Sequence, residues 1–315
     1  MQFETFVSLY GFSLCYPANW MQSFDLGRAL FSSPKRSGVL YPLTINTVQT
    51  NSPSTTALAD QIRRTCLKID GAELFDEQTI QLCGLDGYSC SIRYADSAPA
   101  PDDSSQSVSK QALVLALPLH SGKATTLMTF NSELETFATF NQEYVQPMLT
   151  SFQLEKEYRL PAEGYRRLAR DEYGIAIDFP KNWLISGLDQ QNVAFRSPKQ
   201  RWQIDNISLV TSRREGAHTL RDFCALARSS FQSDADAEVI GEHKSTLGGL
   251  PSYSIEYTIV DRLQVLNQGR QTLTVTSNGT LVNLTTLAPK DKLDEYTPTF
   301  QAVHENFIIK SDALP

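Results

Sequence analysis

The stretch "YGFSLCYPANW" (10–20) returns as "YGIAIDFPKNW" (173–183), so that Tyr10, Gly11, Pro17, Asn19 and Trp20 recur as Tyr173, Gly174, Pro180, Asn182 and Trp183. Proline fixes φ and lacks an N–H, so such a phrase reads as a strand and the strand's exit. The match extends beyond it. "ALFSSPK" (29–35) recurs as "VAFRSPK" (193–199), and "LCGLDGYS" (82–89) as "LGGLPSYS" (247–254). A chain of 315 residues is written twice. Each copy, at roughly 150 residues, is long enough to bury about 70% of its unfolded surface around a core of its own.

Element types repeat between these anchors. "YPLTINTVQ" (41–49) and "IDNISLVTS" (204–212) alternate and are rich in β-branched residues, as half-buried strands are. An amphipathic helix follows each: Leu58, Ile62, Cys66 and Ile69 share a face in the first copy, and Leu220, Phe223, Cys224, Ala227 and Phe231 in the second. Thr219 and Asp222 supply an N-cap and an acid in the first turn. Further strands come next and end in a hairpin, with Asn278-Gly279 predicting a two-residue turn in the second copy and Ser121-Gly122 its equivalent in the first. A helix closes each copy, carrying Leu134, Phe137, Tyr144, Met148 and Phe152 in one and Leu293, Tyr296, Phe300, Val303 and Phe307 in the other. Strands and helices without strict alternation predict an α+β fold, an antiparallel sheet flanked by helices in each copy. The domains are expected at 1–157 and 164–312, joined by the polar "EKEYRLPAEG" (155–164), which proline and glycine interrupt. "SAPAPDDSSQSVSK" (97–110) is expected to be a mobile surface loop.

Charge excludes one large class of partner. With 28 Lys and Arg against 35 Asp and Glu, the chain carries a net −7 and lacks the basic surplus that nucleic acid requires. No run approaches the roughly 18 apolar residues of a membrane span. The opening "MQFETFVSLYGF" has neither the basic start nor the apolar core of a secretory signal, so a cytoplasmic location is expected. Five cysteines, an odd number without a CxxC, are expected to be free buried thiols in a reducing compartment.

The ordered set of features now in hand is an aromatic-Gly strand leading to Pro-x-Asn-Trp, an Asn-containing strand, an amphipathic helix, an "LGG-x-x-x-Y" turn into a strand, a hairpin and a closing helix before Phe. It resembles the Mog1/PsbP-like superfamily once per half. That superfamily includes the photosystem subunit PsbP and the DcrB-related bacterial domains, among them the Eag chaperones of type VI secretion effectors. The resemblance implies a binding domain without catalysis. Eag-type chaperones hold apolar transmembrane helices of effectors before export, and two fused copies resemble a single-chain pseudo-dimer of that kind. The expected partner is thus a protein client with apolar helices, and the expected role is a chaperone or adaptor. A PsbP-like accessory role at a membrane complex is the alternative, although the targeting segment of that group is not seen; an unrecognised hydrolase is the third reading.

Chemistry finds little purchase. His120, His218, His243 and His304 are the only histidines, and no nucleophile, base and carboxylate fall in a known spacing. Cys and His never pair at metal-ligand spacing, so no metal, cofactor or catalytic residue is expected. Trp20 and Trp183 are either scaffold, capping the core where a strand leaves the sheet, or aromatic anchors for a ligand. Leu273, Val275, Leu281 and Leu284, across the last hairpin, are the candidate apolar face for a client, provided both helices of a copy cover the opposite face. The other outcome is burial of these faces against each other.

Overall fold

Gly11 and Gly174 begin the repeated phrase at φ of 78° and 67°, a left-handed conformation that other L-residues reach at a cost of roughly 1–2 kcal/mol. Each N–H closes a tight turn, Gly11 onto the Ser8 carbonyl and Gly174 onto that of Asp171, both at 3.1 Å. In this computed structural model, residues 2–25, 28–34, 42–49, 54–96, 108–120, 122–156, 158–189, 191–198, 206–213 and 219–310 are described. The turns join β1 (Phe3–Ser8) to β2 (Phe12–Pro17) and β11 (Tyr165–Arg170) to β12 (Ile175–Pro180) as antiparallel pairs. At Gly11 an added Cβ would lie 2.5–2.8 Å from ring and Cβ atoms of Tyr158. Gly11→Ala is accordingly expected to destabilise the first unit by about 1–2 kcal/mol from backbone strain alone, and further for displacement of Tyr158. A denaturant midpoint equal to that of the intact chain would contradict this.

The phrase ends the same way twice. Trp20 N–H bonds the Pro17 carbonyl at 2.9 Å, and Trp183 N–H bonds that of Pro180 at 3.0 Å. This turn delivers the chain to the edge of a second sheet. In the first unit, Met1–Leu160, that sheet has seven strands in the order β3-β4-β5-β9-β8-β7-β6. They are β3 (Met21–Asp25), β4 (Arg28–Ser32), β5 (Leu43–Gln49), β6 (Glu73–Leu82), β7 (Leu85–Asp96), β8 (Val108–Leu119) and β9 (Ala124–Glu133). The second unit, Pro161–Pro315, repeats the order as β13-β14-β15-β19-β18-β17-β16. Here the strands are β13 (Leu184–Leu188), β14 (Asn192–Arg196), β15 (Ile207–Arg213), β16 (Ala237–Leu247), β17 (Leu250–Val260), β18 (Leu266–Val275) and β19 (Thr280–Pro289). Every pairing is antiparallel, as the α+β expectation requires. A last short strand, β10 (Gln153–Leu154) or β20 (Ile308–Ile309), returns beside β2 or β12 to complete a three-stranded sheet in each unit.

Helix α1 (Thr55–Cys66) starts at Ser54, whose side chain accepts from the Ala57 N–H, and α4 (Leu220–Ser233) starts in a capping box between Thr219 and Asp222. Ile69 falls beyond the end of α1 and is 40% exposed, because the helix stops at Cys66. The closing helix of the first unit is broken into α2 (Phe137–Phe140) and α3 (Gln146–Thr150) by one π-helical turn, Asn141–Val145. Pro147 follows that turn, and a residue without an N–H is tolerated where the regular bonding has just been interrupted. Leu134 lies ahead of this helix in a 3-10 turn and is partly exposed. In the second unit α5 (Leu293–Glu305) runs unbroken through Pro298.

The helices of a unit lie on opposite faces of its sheet. In the second unit α5 packs Tyr296 and Val303 into a core with Ile177, Phe179, Phe195, Leu209, Val282 and Leu284. On the other side the ring of Phe231 of α4 packs, tilted, 4.5 Å from that of Tyr257. The Arg228 guanidinium lies over the Tyr253 ring while bonding Glu242. In the first unit α1 buries Leu58, Ala59, Ile62 and Cys66 against Cys90, Ile92 and Val114. Buried Asn206 ties three strands of the second unit together, accepting from the Ser197 N–H at 2.9 Å and donating to the Leu287 carbonyl at 3.1 Å. The soft segment expected at 97–110 falls largely outside the described residues, as does His218.

Candidate functional site

The predicted apolar quartet does not share a face. The last hairpin turns through three residues, Ser277, Asn278 and Gly279, with Thr276 N–H bonded to the Thr280 carbonyl at 2.9 Å and Gly279 at φ 78°. That loop pairs Val275 with Leu281 and Leu273 with Asn283, which sets Leu273, Val275 and Leu281 on the α4 side. Leu284 pairs with Thr272 and points to the α5 side, where it is core. Since α4 and α5 cover different faces, the open apolar sheet face expected from helices on a single side is absent from the described residues. Leu273 and Leu284 are 2% and 1% exposed.

Both tryptophans meet the closing helix of their own unit. Trp20 lies parallel to Phe140 with centroids 6.3 Å apart and tilts onto Tyr144 at 5.6 Å, and Trp183 meets Tyr296 edge-on at 6.2 Å. Each is 6% exposed. Among the histidines, His120 lies in hydrogen-bonding reach of the Tyr10 carbonyl through Nε2 at 2.7 Å and stacks on Tyr158 at 3.8 Å, and His243 is exposed on β16. Of the cysteines, all free, Cys66, Cys90 and Cys224 are buried, Cys15 is half-buried, and Cys83 is exposed, against the expectation of burial throughout.

Two other features of the second unit stand out. The first is an edge. The large sheets end in β3, β6, β13 and β16, and each edge except β13 carries at least one charged side chain. Strand β13 reads LISGL and exposes Leu184 (61%), Ile185 and Leu188, with a bulge between Ile185 and Gly187. Charges usually guard such edges against pairing with another chain, so an uncharged apolar edge is a place where an added strand finds backbone donors and acceptors.

The second is a cavity of about 420 Å³ between α5 and strands β17–β19. Its sheet wall presents Glu256, Arg270, Thr272 and Thr286, and its helix wall Phe300 and His304. Register places Glu256, Arg270 and Thr286 in one cross-strand row and Ser254, Thr272 and Leu284 in the next. Arg270 is ion-paired to Glu256 at 2.8 Å, and Thr272 bonds Ser254 through their hydroxyls at 3.0 Å. His304 lines the cavity from α5. Its Nε2 is buried without a hydrogen-bond partner among the described residues, and burial, reinforced by the Arg270 charge, holds its pKa below the usual imidazole value. Sequence reasoning missed this site because its walls come from residues far apart in the chain.

Among the described residues no group of three or more His, Cys, Asp or Glu side chains is placed to hold a metal ion, and no helix is long and apolar enough to cross a membrane. The chain is thus a tandem of two α+β units, each built on a seven-stranded antiparallel sheet. No protein-family model and no curated protein matches the sequence. Among solved structures, the chain is similar to the cyanobacterial PsbP of Synechocystis sp. PCC 6803, at 19% identity and TM-score 0.36, over 48% of this chain and 95% of that one. It is also similar to TplEi, a T6SS immunity protein of Pseudomonas aeruginosa, at 10% identity and TM-score 0.41, over 93% of this chain and 98% of that one. A third similarity, to the Ran-binding protein Mog1p of Saccharomyces cerevisiae, has 10% identity and TM-score 0.33 and covers 47% of this chain and 96% of that one.

Proposed function

We propose that the chain is a non-catalytic adaptor or chaperone of the cytoplasm, built from domains at 1–157 and 164–312, that holds an apolar segment of a protein client. The observation that carries this reading is β13, an edge strand with no charged residue and three exposed large apolar side chains. A client segment laid along it in extended form gains main-chain hydrogen bonds, while Leu184 and Leu188 bury apolar area. This moves the seat of the client from the hairpin face to the sheet edge. Five free thiols fit a reducing compartment.

The test is a photo-cross-linking residue placed at Leu188 in the native cell. A discrete adduct with one protein is expected, and introducing Ile185→Lys is expected to reduce it about tenfold, since a buried charge opposes strand addition. Comparable adducts from a cross-linker at Glu238 on the opposite edge, or no adduct at Leu188, would sink the proposal.

A further inference from the structure

Four residues that line the cavity of the second unit stand at positions that are apolar in the first, and the strand registers make the comparison residue by residue. "LGGLPSYS" aligns Ser254 with Ser89. The row Ser254, Thr272, Leu284 then corresponds to Ser89, Leu115, Met128, and the row Glu256, Arg270, Thr286 to Ser91, Leu113, Phe130. On the helix, Phe307 N–H bonds the His304 carbonyl as Phe152 N–H bonds that of Leu149, so His304 stands where the first unit has Leu149. Four apolar positions, Leu113, Leu115, Phe130 and Leu149, are thus Arg, Thr, Thr and His in the second copy. All four of those polar residues line the same cavity. One fold supports both versions, so the scaffold does not require the polar one. Polar side chains facing a cavity from a core position lower stability unless they find hydrogen-bond partners.

From this juxtaposition we infer that the second unit binds a small uncharged, hydroxyl-rich molecule of about monosaccharide size in the cavity between α5 and β17–β19. The volume, about 420 Å³, lies within the usual range for small-molecule sites. Charge selects the class. Glu256 already occupies Arg270, and Glu305 adds a second carboxylate at the exposed rim, so an anion meets no free cationic surplus. The most buried lining residues, Thr272, Leu284 and Thr286, carry no charge, and burial holds His304 below the usual imidazole value, so a cation meets only the exposed Glu305 carboxylate beyond the Arg270–Glu256 pair. What the walls do offer are donors and acceptors of both kinds: guanidinium, carboxylate, the side-chain amides of Gln268 and Gln301, and the unpaired Nε2. Leu293 and Phe300 add an apolar strip against which a C–H face can lie. Alternating hydroxyls over a C–H framework match that mixture.

Saturation-transfer NMR on the full chain tests this with D-glucose, N-acetyl-D-glucosamine and myo-inositol as uncharged probes, inorganic phosphate as the anion and putrescine as the cation. At least one uncharged probe is expected to receive saturation and to shift the His304 ring resonances. Two variants restore residues of the first unit, Thr272→Leu and His304→Leu, and each is expected to weaken that binding tenfold or more while thermal unfolding stays at or above that of the intact chain. Binding of phosphate or putrescine in preference to every uncharged probe would overturn the inference. So would the failure of all three uncharged probes, or their equal binding to the intact chain and to whichever variants fold.

Discussion

Asp178→Asn is expected to lower the stability of the second unit by about 3–5 kcal/mol, measured as a shift of the denaturant midpoint at unchanged slope. Arg167 and Asp178 face each other across β11 and β12 and form a two-pronged pair, Nε to Oδ1 at 2.7 Å and a terminal nitrogen to Oδ2 at 2.9 Å. Their side chains are 1% and 4% exposed. Both charges have left water, and each offsets much of the other's desolvation. Neutralising Asp178 removes the opposite charge that the buried guanidinium faces across the hairpin. The pair as a whole has a different balance, since its mutual attraction mostly offsets two desolvation costs. Replacing both, as Arg167→Met with Asp178→Leu, is therefore expected to fall within about 1 kcal/mol of the intact chain or above it. In the first unit the corresponding positions are Thr5 and Cys15, an uncharged pair on the same hairpin, so the fold does not need ions there. A single variant as stable as the intact chain, or a double variant as weak as the single, would refute this account.

Trp183→Ala is expected to cost about 3–5 kcal/mol in the same unit, the range for truncating a core aromatic. The indole is 6% exposed and bridges the exit of β12 to Tyr296 on α5, within a core that also holds Phe179 and Phe195. Its carbonyl accepts from Arg166 at 2.9 Å, a backbone bond that alanine keeps, so the loss reports the side chain alone. Unchanged unfolding together with weakened client cross-linking at Leu188 would instead mark Trp183 as a binding anchor.

The repeat was legible because its marker residues each have few conformational uses. Gly11 and Gly174 occupy left-handed turns, and Pro17 and Pro180 precede the same three-residue exit to a tryptophan. Alternation in "IDNISLVTS" and the 3.6-residue period around Phe223 were equally readable, and so was the antiparallel sheet they imply. Facing was not. A one-residue difference in loop length exchanges the two sides of a strand, and Asn278-Gly279 is found both in two-residue turns and at the end of three-residue ones. Nor was the helix arrangement, because an amphipathic stripe says that a helix is covered without saying by which face of the sheet. The cavity depends on cross-strand neighbours such as Glu256, Arg270 and Thr286, separated by 14 and 16 residues in the chain. A signal for it was nonetheless present. Once the copies are aligned, Leu113, Leu115 and Leu149 stand opposite Arg270, Thr272 and His304, a concentration of polarity changes in one copy.

In each unit the first hairpin and the last short strand share one three-stranded sheet, with β2 between β1 and β10 and β12 between β11 and β20. Chain entry and chain exit are consequently neighbours on a single ribbon. A module whose doorways adjoin can be copied head to tail without any segment having to cross its own body to reach the next copy. Tandem duplication demanded no new topology from this fold. It left each copy free to alter the interior of its sheet while the two doorways, marked by the glycine turn and the closing strand, kept the same form.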